Sequence, residues 1–328
     1  MLHIIQYKEF ITVIPLINRY CERATLYIEF LMTNPFLNIT KRFPLNPLPS
    51  AGKPIFILST IWRSGSTALQ RTLVTDPSIQ VWGEPYADSN LITSLSRSAL
   101  ALTQTTWPQP GHFPTEQVIL DKPEEYFIAN WYPPMQSMYE SHRAMLDRLF
   151  KQSAMELGKE RFGIKFVRIG LEEMHYLEWL YPDAKFLILF RNPWDCWRSY
   201  KGYNWMYRWP KGRITTVQQF AKLWEKQTRE LLSNPQSDTV RAMRYEDFLH
   251  PDFNWDRLRD FCELPNLNSN ALKKRITGVN IPPQPITDSD CQIISKICGN
   301  LSASLGYRGL KETNTDIAIG EWRQPNDT

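Results

Sequence analysis

The sequence predicts an α/β fold three layers deep, with helices flanking a central parallel sheet. Three observations carry that expectation. Two short, unbroken apolar runs, PIFILSTI at 54–61 and AKFLILF at 184–190, have the length and continuity of strands buried on both faces. Stretches of helical period lie between such runs, and alternating strands and helices join by right-handed crossovers into a parallel sheet. Both runs end in loops that open helices, WRSGST after the first and RNPWD after the second.

Taken in order, the first 34 residues are interrupted by Lys8, Glu9, Arg19, Glu22, Arg23 and Glu29. That is too often for the roughly 20 apolar residues of a membrane span. A basic stretch before an unbroken apolar core, the mark of a signal peptide, is also missing. This segment is expected to be amphipathic helix packed on the body, with docking to a partner protein as the other reading. The predicted division is 1–50 as that helical segment and 51–328 as the main domain. NPLPSAGKP, ending at Pro54, is a Pro-rich linker.

After the 54–61 strand, STALQRTLV places Leu69 and Leu73 on one helical face. IQVW at 79–82 is a second strand, stopped by Gly83-Glu84-Pro85-Tyr86. Residues 96–134, rich in Trp, Pro, Gln and Thr, show no sustained period and predict an irregular excursion with one or two short helices. Such long loops are uncommon unless functional. Helical period returns over 135–157. FGIKFVR at 162–168 predicts a strand, Leu171, Met174, Leu177 and Leu180 a helix, and 239–243 a further strand before a mostly helical remainder.

Apolar residues at 42% and charged residues at 22% exclude disorder, coiled coil and collagen. A formal charge of +4 without long one-sign blocks suits a small anionic ligand better than a nucleic acid, which calls for a concentrated basic face. Cys21, Cys196, Cys262, Cys291 and Cys298 are odd in number and contain no CxxC pair, so neither a disulfide framework nor a zinc knuckle is indicated. These features together predict a cytoplasmic protein.

Two motifs carry the chemistry. In Trp62-Arg63-Ser64-Gly65-Ser66-Thr67, Gly65 permits a tight path, Ser66 and Thr67 can cap the helix, and the N–H groups of its first turn face outward with the positive dipole end. Arg63 adds a planar fork of donors suited to an anionic oxygen pair. This hexapeptide alone reads equally as an anion cradle or as a capped helix with an exposed Arg. The kinase P-loop, GxxxxGKS/T, is not met: Gly52-Lys53 precedes the strand and is followed by Pro54. No GxGxxG follows a predicted strand.

The second motif is Arg191-Asn192-Pro193-Trp194-Asp195-Cys196-Trp197-Arg198-Ser199-Tyr200. Asn192 is a good N-cap, Pro193 suits the first helical position, and Asp195 stands where a capping box puts its acid. Arg191 is thereby fixed at the strand's edge, and Ser199, about two turns on, returns to the same face. An Arg and a Ser so placed can grip one phosphate from two sides.

Together the motifs resemble the donor-binding elements of sulfotransferases that use 3′-phosphoadenosine-5′-phosphosulfate (PAPS). In that family an R/K-S-G-S/T-S/T loop holds the 5′-phosphosulfate and an RNPxDxxxSY-like element the 3′-phosphate. Arg63, Ser64, Gly65, Ser66, Thr67 and the adjoining Ala68 correspond to the first, Arg191 and Ser199 to the second. The resemblance implies a P-loop-like fold, PAPS as donor and adenosine 3′,5′-bisphosphate as product. Arg244-Tyr245-Glu246-Asp247 is similar to the family's bracing RYEDL element. Tyr307-Arg308-Gly309 with Gly320-Glu321-Trp322-Arg323 is similar to its C-terminal segment, which closes over the adenosine and makes Arg308 and Gly309 expected contacts. The resemblance runs from Pro54 to Arg323. Residues 96–160 match no family element and are expected to form a lid on the acceptor side.

Sulfuryl transfer to a hydroxyl or amine needs a base, cations on the developing charge and in-line placement. Cytosolic family members carry a His after a Lys-Thr or Lys-Ser pair, whereas Ile164-Lys165-Phe166-Val167-Arg168 has none. Carbohydrate-modifying and protein-tyrosine members place a Glu at the end of the second strand, where Glu84 stands. The resemblance thus makes Glu84 the general base, with Arg63 and Lys165 beside the phosphosulfate and His112 as the rival base. The plainer reading of Glu84 is a carboxylate bonding turn N–H groups. No metal is implied, because a sulfuryl group carries less charge than a phosphoryl group and Arg63 can meet the leaving-group charge.

The aromatic stretches 107–134 and 201–210 could be lids that stack on a planar or cationic acceptor, or could simply pack an irregular core. Glu84 with Asp88 would suit a positively charged acceptor. The expected partner is a small molecule, as for bacterial natural-product tailoring sulfotransferases, including those acting on guanidinium alkaloids such as saxitoxin. Neither nucleic acid nor membrane is an expected partner. The alternatives are an ATP-dependent small-molecule kinase and a non-catalytic nucleotide-binding protein. The missing GKS/T counts against the first, and the complete Arg63, Glu84, Arg191, Ser199 set against the second.

Overall fold

The computed structural model describes residues 34–43, 45–49, 52–86, 89–102, 108–114, 123–203, 208–209, 212–273, 282–314, 319 and 322. Five strands, β1 (Ile55–Ser59), β2 (Ile79–Trp82), β3 (Arg161–Phe166), β4 (Lys185–Phe190) and β5 (Val240–Arg244), form one sheet in the order β2-β3-β1-β4-β5. Every pairing is parallel, with Phe56 level with Ile164 and Phe186. All five therefore deliver their C-terminal ends to one edge. The chain visits β2 and β3 on one side of β1 and then β4 on the other, so β1 and β4 meet at the switch point where α/β sheets bind ligands.

The period of two along each strand splits the interior into two cores. Ile55, Ile57, Leu187 and Leu189 face one way with Leu69, Leu73 and Trp322, whereas Phe56, Leu58, Phe186 and Ile188 face the other with Leu177, Leu180 and Trp224. Burial on both faces is why β1 and β4 read as continuous apolar runs, each such side chain contributing about 1.5–3 kcal/mol. The helices that matter for the site are α1 (Ser66–Leu73), α2 (Leu91–Leu100), α3 (Leu171–Leu180), α4 (Pro193–Tyr200), α5 (Val217–Ser233) and α6 (Asp288–Ser304). The central parallel sheet flanked by helices is the α/β architecture expected of the sequence.

Several details go beyond what the sequence predicts. α2 runs into the stretch expected to be irregular; Ile92, Ala99 and Leu100 are buried there together with the polar Thr93 and Ser96. The rest of that stretch contributes single turns at Pro110–His112, Pro123–Glu125 and Ile128–Asn130. The helix expected over 135–157 is Met135–Leu146 continued through a π-turn, Asp147–Lys151, into Gln152–Glu156. Short hairpins, Arg208–Trp209 with Gly212–Arg213 and Tyr307–Gly309 with Glu312–Thr313, are too brief for any periodicity to reveal.

The helical reading of residues 1–33 lies outside the described residues. From Phe36 to Arg42 a helix buries Phe36 and Ile39 in the Leu177 core. Among the described residues no helix is long and apolar enough to cross a membrane.

Candidate active site

Beyond β1 the backbone is stitched to β4 by Thr60 N–H donating to Leu189 O at 3.0 Å. The loop then turns through Arg63 at φ 66° and Gly65 at φ 91°, both left-handed. Only glycine fits at 65, because an added Cβ would overlap the Tyr245 ring as well as meet the unfavourable φ. Arg63 holds the same region as a non-glycine residue, the kind of strain that persists where the surroundings over-determine it. Gly65 itself occupies the N-cap of α1 and no side chain caps the helix, so the expected capping by Ser66 or Thr67 does not occur. The first-turn N–H groups are left for another acceptor.

Ser64 is fully buried, with Oγ donating to Ile61 O at 2.8 Å, and Ser66 is buried in the helix start. Thr67 is exposed and Ala68 half-buried. The Ala68 N–H already donates to Gly65 O at 2.9 Å.

The loop after β4 closes on the same spot. Arg191 Nη1 donates to Arg63 O at 3.0 Å, its guanidinium lies 4.5 Å from the centre of the Tyr245 ring, and its Nε is buried without a hydrogen-bond partner. Arg63 Nε donates to Ser199 Oγ at 2.9 Å and its guanidinium stands 4.7 Å from the Tyr203 ring centre. Arg63, Arg191 and Ser199 thus form one cluster. Burial works against the Arg191 charge, but the acidic groups around it, Cys196, Tyr245, Glu246 and Asp195, outweigh it and raise its pKa. Burial pushes the Cys196 thiol up to about 12, so a neutral thiol packs 3.8 Å from Arg63 O.

Asn192 caps α4 as expected, accepting from Trp194 N at 3.0 Å and Asp195 N at 3.3 Å. The reciprocal half of the capping box is supplied from elsewhere. Asn192 N donates to Glu246 Oε1 at 3.1 Å, while Asp195 accepts from Lys311 N at 3.0 Å. A tertiary acceptor beyond β5 has displaced the local one. Asn192 Nδ2 also donates to Gly309 O at 2.8 Å, and Tyr307 OH to Glu246 Oε2 at 3.0 Å. The 307–313 hairpin is so clamped to the start of α4, with Arg308 exposed and Gly309 half-buried beside it. Burial raises the Glu246 pKa, opposed by its hydrogen bonds and Arg191.

Trp322 belongs to the core and not to a closing flap. It is 1% exposed and stacks on Phe253 at 6.0 Å. Gly320, Glu321 and Arg323 lie outside the described residues, as do Asp88, Trp107, Asn204-Trp205-Met206-Tyr207 and Pro210.

Glu84 stands two residues past β2, half-buried between two cations. Lys165 Nζ is 3.4 Å from its Oε1 and Arg168 Nη1 is 3.4 Å from its Oε2. Lys165 is level with Ile57 inside the sheet, and alternation turns it to the α1 face. His112 ends a single helical turn, its Nδ1 accepting from Gln109 N at 2.8 Å and its ring edge-on to Tyr132. With Nδ1 accepting, the neutral ring keeps its proton on Nε2 and offers no second lone pair for a substrate proton.

Sequence reasoning missed Arg168 and the site role of Tyr245. A second basic residue three positions after Lys165 at a strand end was the available signal for the first. The RYED match marked Tyr245 only as part of a bracing element; it reaches Gly65 and Arg191 because β5 lies beside β4.

The model of the sulfotransferase family matches residues 54–268. No curated protein matches the chain. Among solved structures it is similar to the sulfotransferase STF9 of Mycobacterium avium, at 14% identity and TM-score 0.40 over 81% of this chain and 79% of that one. It is also similar to the sulfotransferase domain of the curacin biosynthetic pathway, at 16% identity and TM-score 0.42 over 81% of this chain and 100% of that one. For the sulfotransferase domain of the olefin synthase of Synechococcus PCC 7002 the values are 18% and 0.36, over 76% of this chain and 96% of that one. With its strand-loop-helix elements inside the matched span, the chain belongs to the sulfotransferase family.

Proposed function

We propose that this chain transfers the sulfuryl group of PAPS to a hydroxyl or amine of a small-molecule acceptor, with Glu84 as general base. The observation that carries the reading is the convergence of Arg63, Arg191 and Ser199 at the β1–β4 switch point, linked by hydrogen bonds of 2.9 and 3.0 Å. The residues fit such a donor. Arg191 Nε is buried and unpartnered, and the uncapped start of α1 offers N–H groups.

PAPS supplies the sulfuryl group, whose bond to the phosphate oxygen breaks as the acceptor's bond to sulfur forms. Arg63, Gly65, Ser66 and Thr67 would hold the 5′ end, and Arg191 and Ser199 the 3′-phosphate. Arg63 and Lys165 meet the charge that develops on the leaving side, while Glu84 takes the acceptor's proton on a carboxylate oxygen. Both Glu84 oxygens already face cations, so Glu84 is a poor anchor for a positively charged acceptor, and a neutral nucleophile fits better.

Labelled PAPS with naphthol as probe acceptor tests the assignment. Glu84→Gln keeps the size and most hydrogen bonding but removes the proton acceptor, so turnover should fall about 10²- to 10⁴-fold with donor affinity nearly constant. Near-normal turnover in a folded, donor-binding Glu84→Gln protein would make Glu84 structural.

A further inference from the structure

Glu84 has a mechanical problem that its proposed role makes acute. It lies on a loop past the end of β2, yet a base must sit within hydrogen-bond reach of the proton it takes. We propose that Arg168 is a positioning residue that holds the Glu84 carboxylate in place while Lys165 serves the transferring group. This rests on the reading of Glu84 as the base.

The geometry supports it in three ways. Arg168 Nη1 and Lys165 Nζ approach different oxygens of Glu84, each at 3.4 Å, so together they fix the plane of the carboxylate as well as its place. Those separations exceed the roughly 2.7–2.9 Å of a tight charge-assisted hydrogen bond, which leaves Glu84 attracted but with lone pairs open to a proton.

The Arg168 backbone is also well anchored. Val167 and Ile169 on either side are buried, and the next residue, Gly170, donates its N–H to Glu173 Oε2 at 2.8 Å at the start of α3. Finally, the two cations differ in kind. Lys165 is a point charge on a flexible stem that can swing toward the oxygens of a bound donor, whereas Arg168 presents a planar fork from a fixed turn. When Lys165 turns away, Arg168 is the cation that still restrains Glu84.

The test is a double-mutant cycle on Arg168 and Glu84, read by turnover of labelled PAPS with naphthol, by affinity for adenosine 3′,5′-bisphosphate and by melting. Arg168→Gln should lower kcat by about tenfold or more with product affinity unchanged, and Arg168→Lys, which keeps the charge but not the planar fork, should recover only part of the loss. In a Glu84→Gln background, Arg168→Gln should cost nothing further.

If Glu84→Gln is slow and Arg168→Gln slows it again by the same factor, the base reading stands and this proposal alone falls. If Glu84→Gln keeps normal turnover, the base reading falls and the role of Arg168 with it. The melting cycle decides without turnover: non-additive changes support the coupling, and additive changes overturn it.

Discussion

Arg63 Nε donates to Ser199 Oγ at 2.9 Å, joining the loop after β1 to the last turn of α4 across 136 positions of sequence. The reverse contact, Arg191 Nη1 on Arg63 O, makes the junction reciprocal. Two loops that each read as a phosphate grip are therefore one site, because β1 and β4 are neighbours.

Removing either side of that junction should weaken binding of adenosine 3′,5′-bisphosphate unequally. Arg191→Ala loses a charge-assisted contact, about 1.5–3 kcal/mol, and Ser199→Ala a neutral one, about 0.5–1.5 kcal/mol. Calorimetric titration checks both, and unchanged affinity in Arg191→Ala would remove Arg191 from the site.

Gly65→Ala should be among the most damaging single changes in the chain. It meets the left-handed φ of 91° and the Tyr245 ring together, so a loss of at least about 2 kcal/mol is expected, with donor-product binding abolished. Tyr245→Ala in the same chain should recover stability but only in part, since the backbone strain remains. Thermal melting of the three variants checks this; full recovery would show that φ contributes nothing.

Arg244 and Asp247 are 0% and 2% exposed in their side chains and pair at 2.8 and 2.9 Å, while Arg244 Nη1 donates to Leu305 O and Asn314 O. Asp247→Ala leaves a buried guanidinium without its anion and should cost about 3–5 kcal/mol. Urea unfolding measures it, and a cost below about 1 kcal/mol would mean that the two carbonyls suffice.

How much of this was legible in the sequence follows from where each cause lies. β1 and β4 announced themselves because both their faces are buried, whereas in α2 the polar Thr93 and Ser96 share the buried face with Ile92, Ala99 and Leu100. Arg63, Arg191 and Ser199 were readable because their loops are short local motifs. The packing of Tyr245 beneath Gly65 and the pairing of Arg168 with Glu84 depend on sheet order, which no local stretch encodes.

A pH dependence of stability should arise away from the site, at α3. Burial pushes the Glu178 carboxyl up to about 7, eased by Asn234, and pushes the neighbouring His175 down to about 4. A raised carboxyl pKa contributes stability that is full below its unfolded value of about 4.3 and lost as pH rises through about 7. His175 acts oppositely between about 4 and about 6.5, so the Glu178 loss is seen most cleanly at pH 8. Glu178→Gln should accordingly be stabilising at pH 8, on the order of 2–3 kcal/mol, and nearly neutral at about pH 4. Melting at the two pH values checks it; an equal shift at both would discard the buried-carboxyl explanation.

The central claim is that the paired loops bind a 3′-phosphorylated adenosine donor, and titration calorimetry of the whole protein in EDTA tests it most directly. Adenosine 3′,5′-bisphosphate should bind without added metal and ATP should bind far more weakly, because Arg191 and Ser199 read the 3′-phosphate and no GKS/T motif follows β1. Equal affinity for the two nucleotides, or binding that appears only with Mg²⁺, would contradict the account.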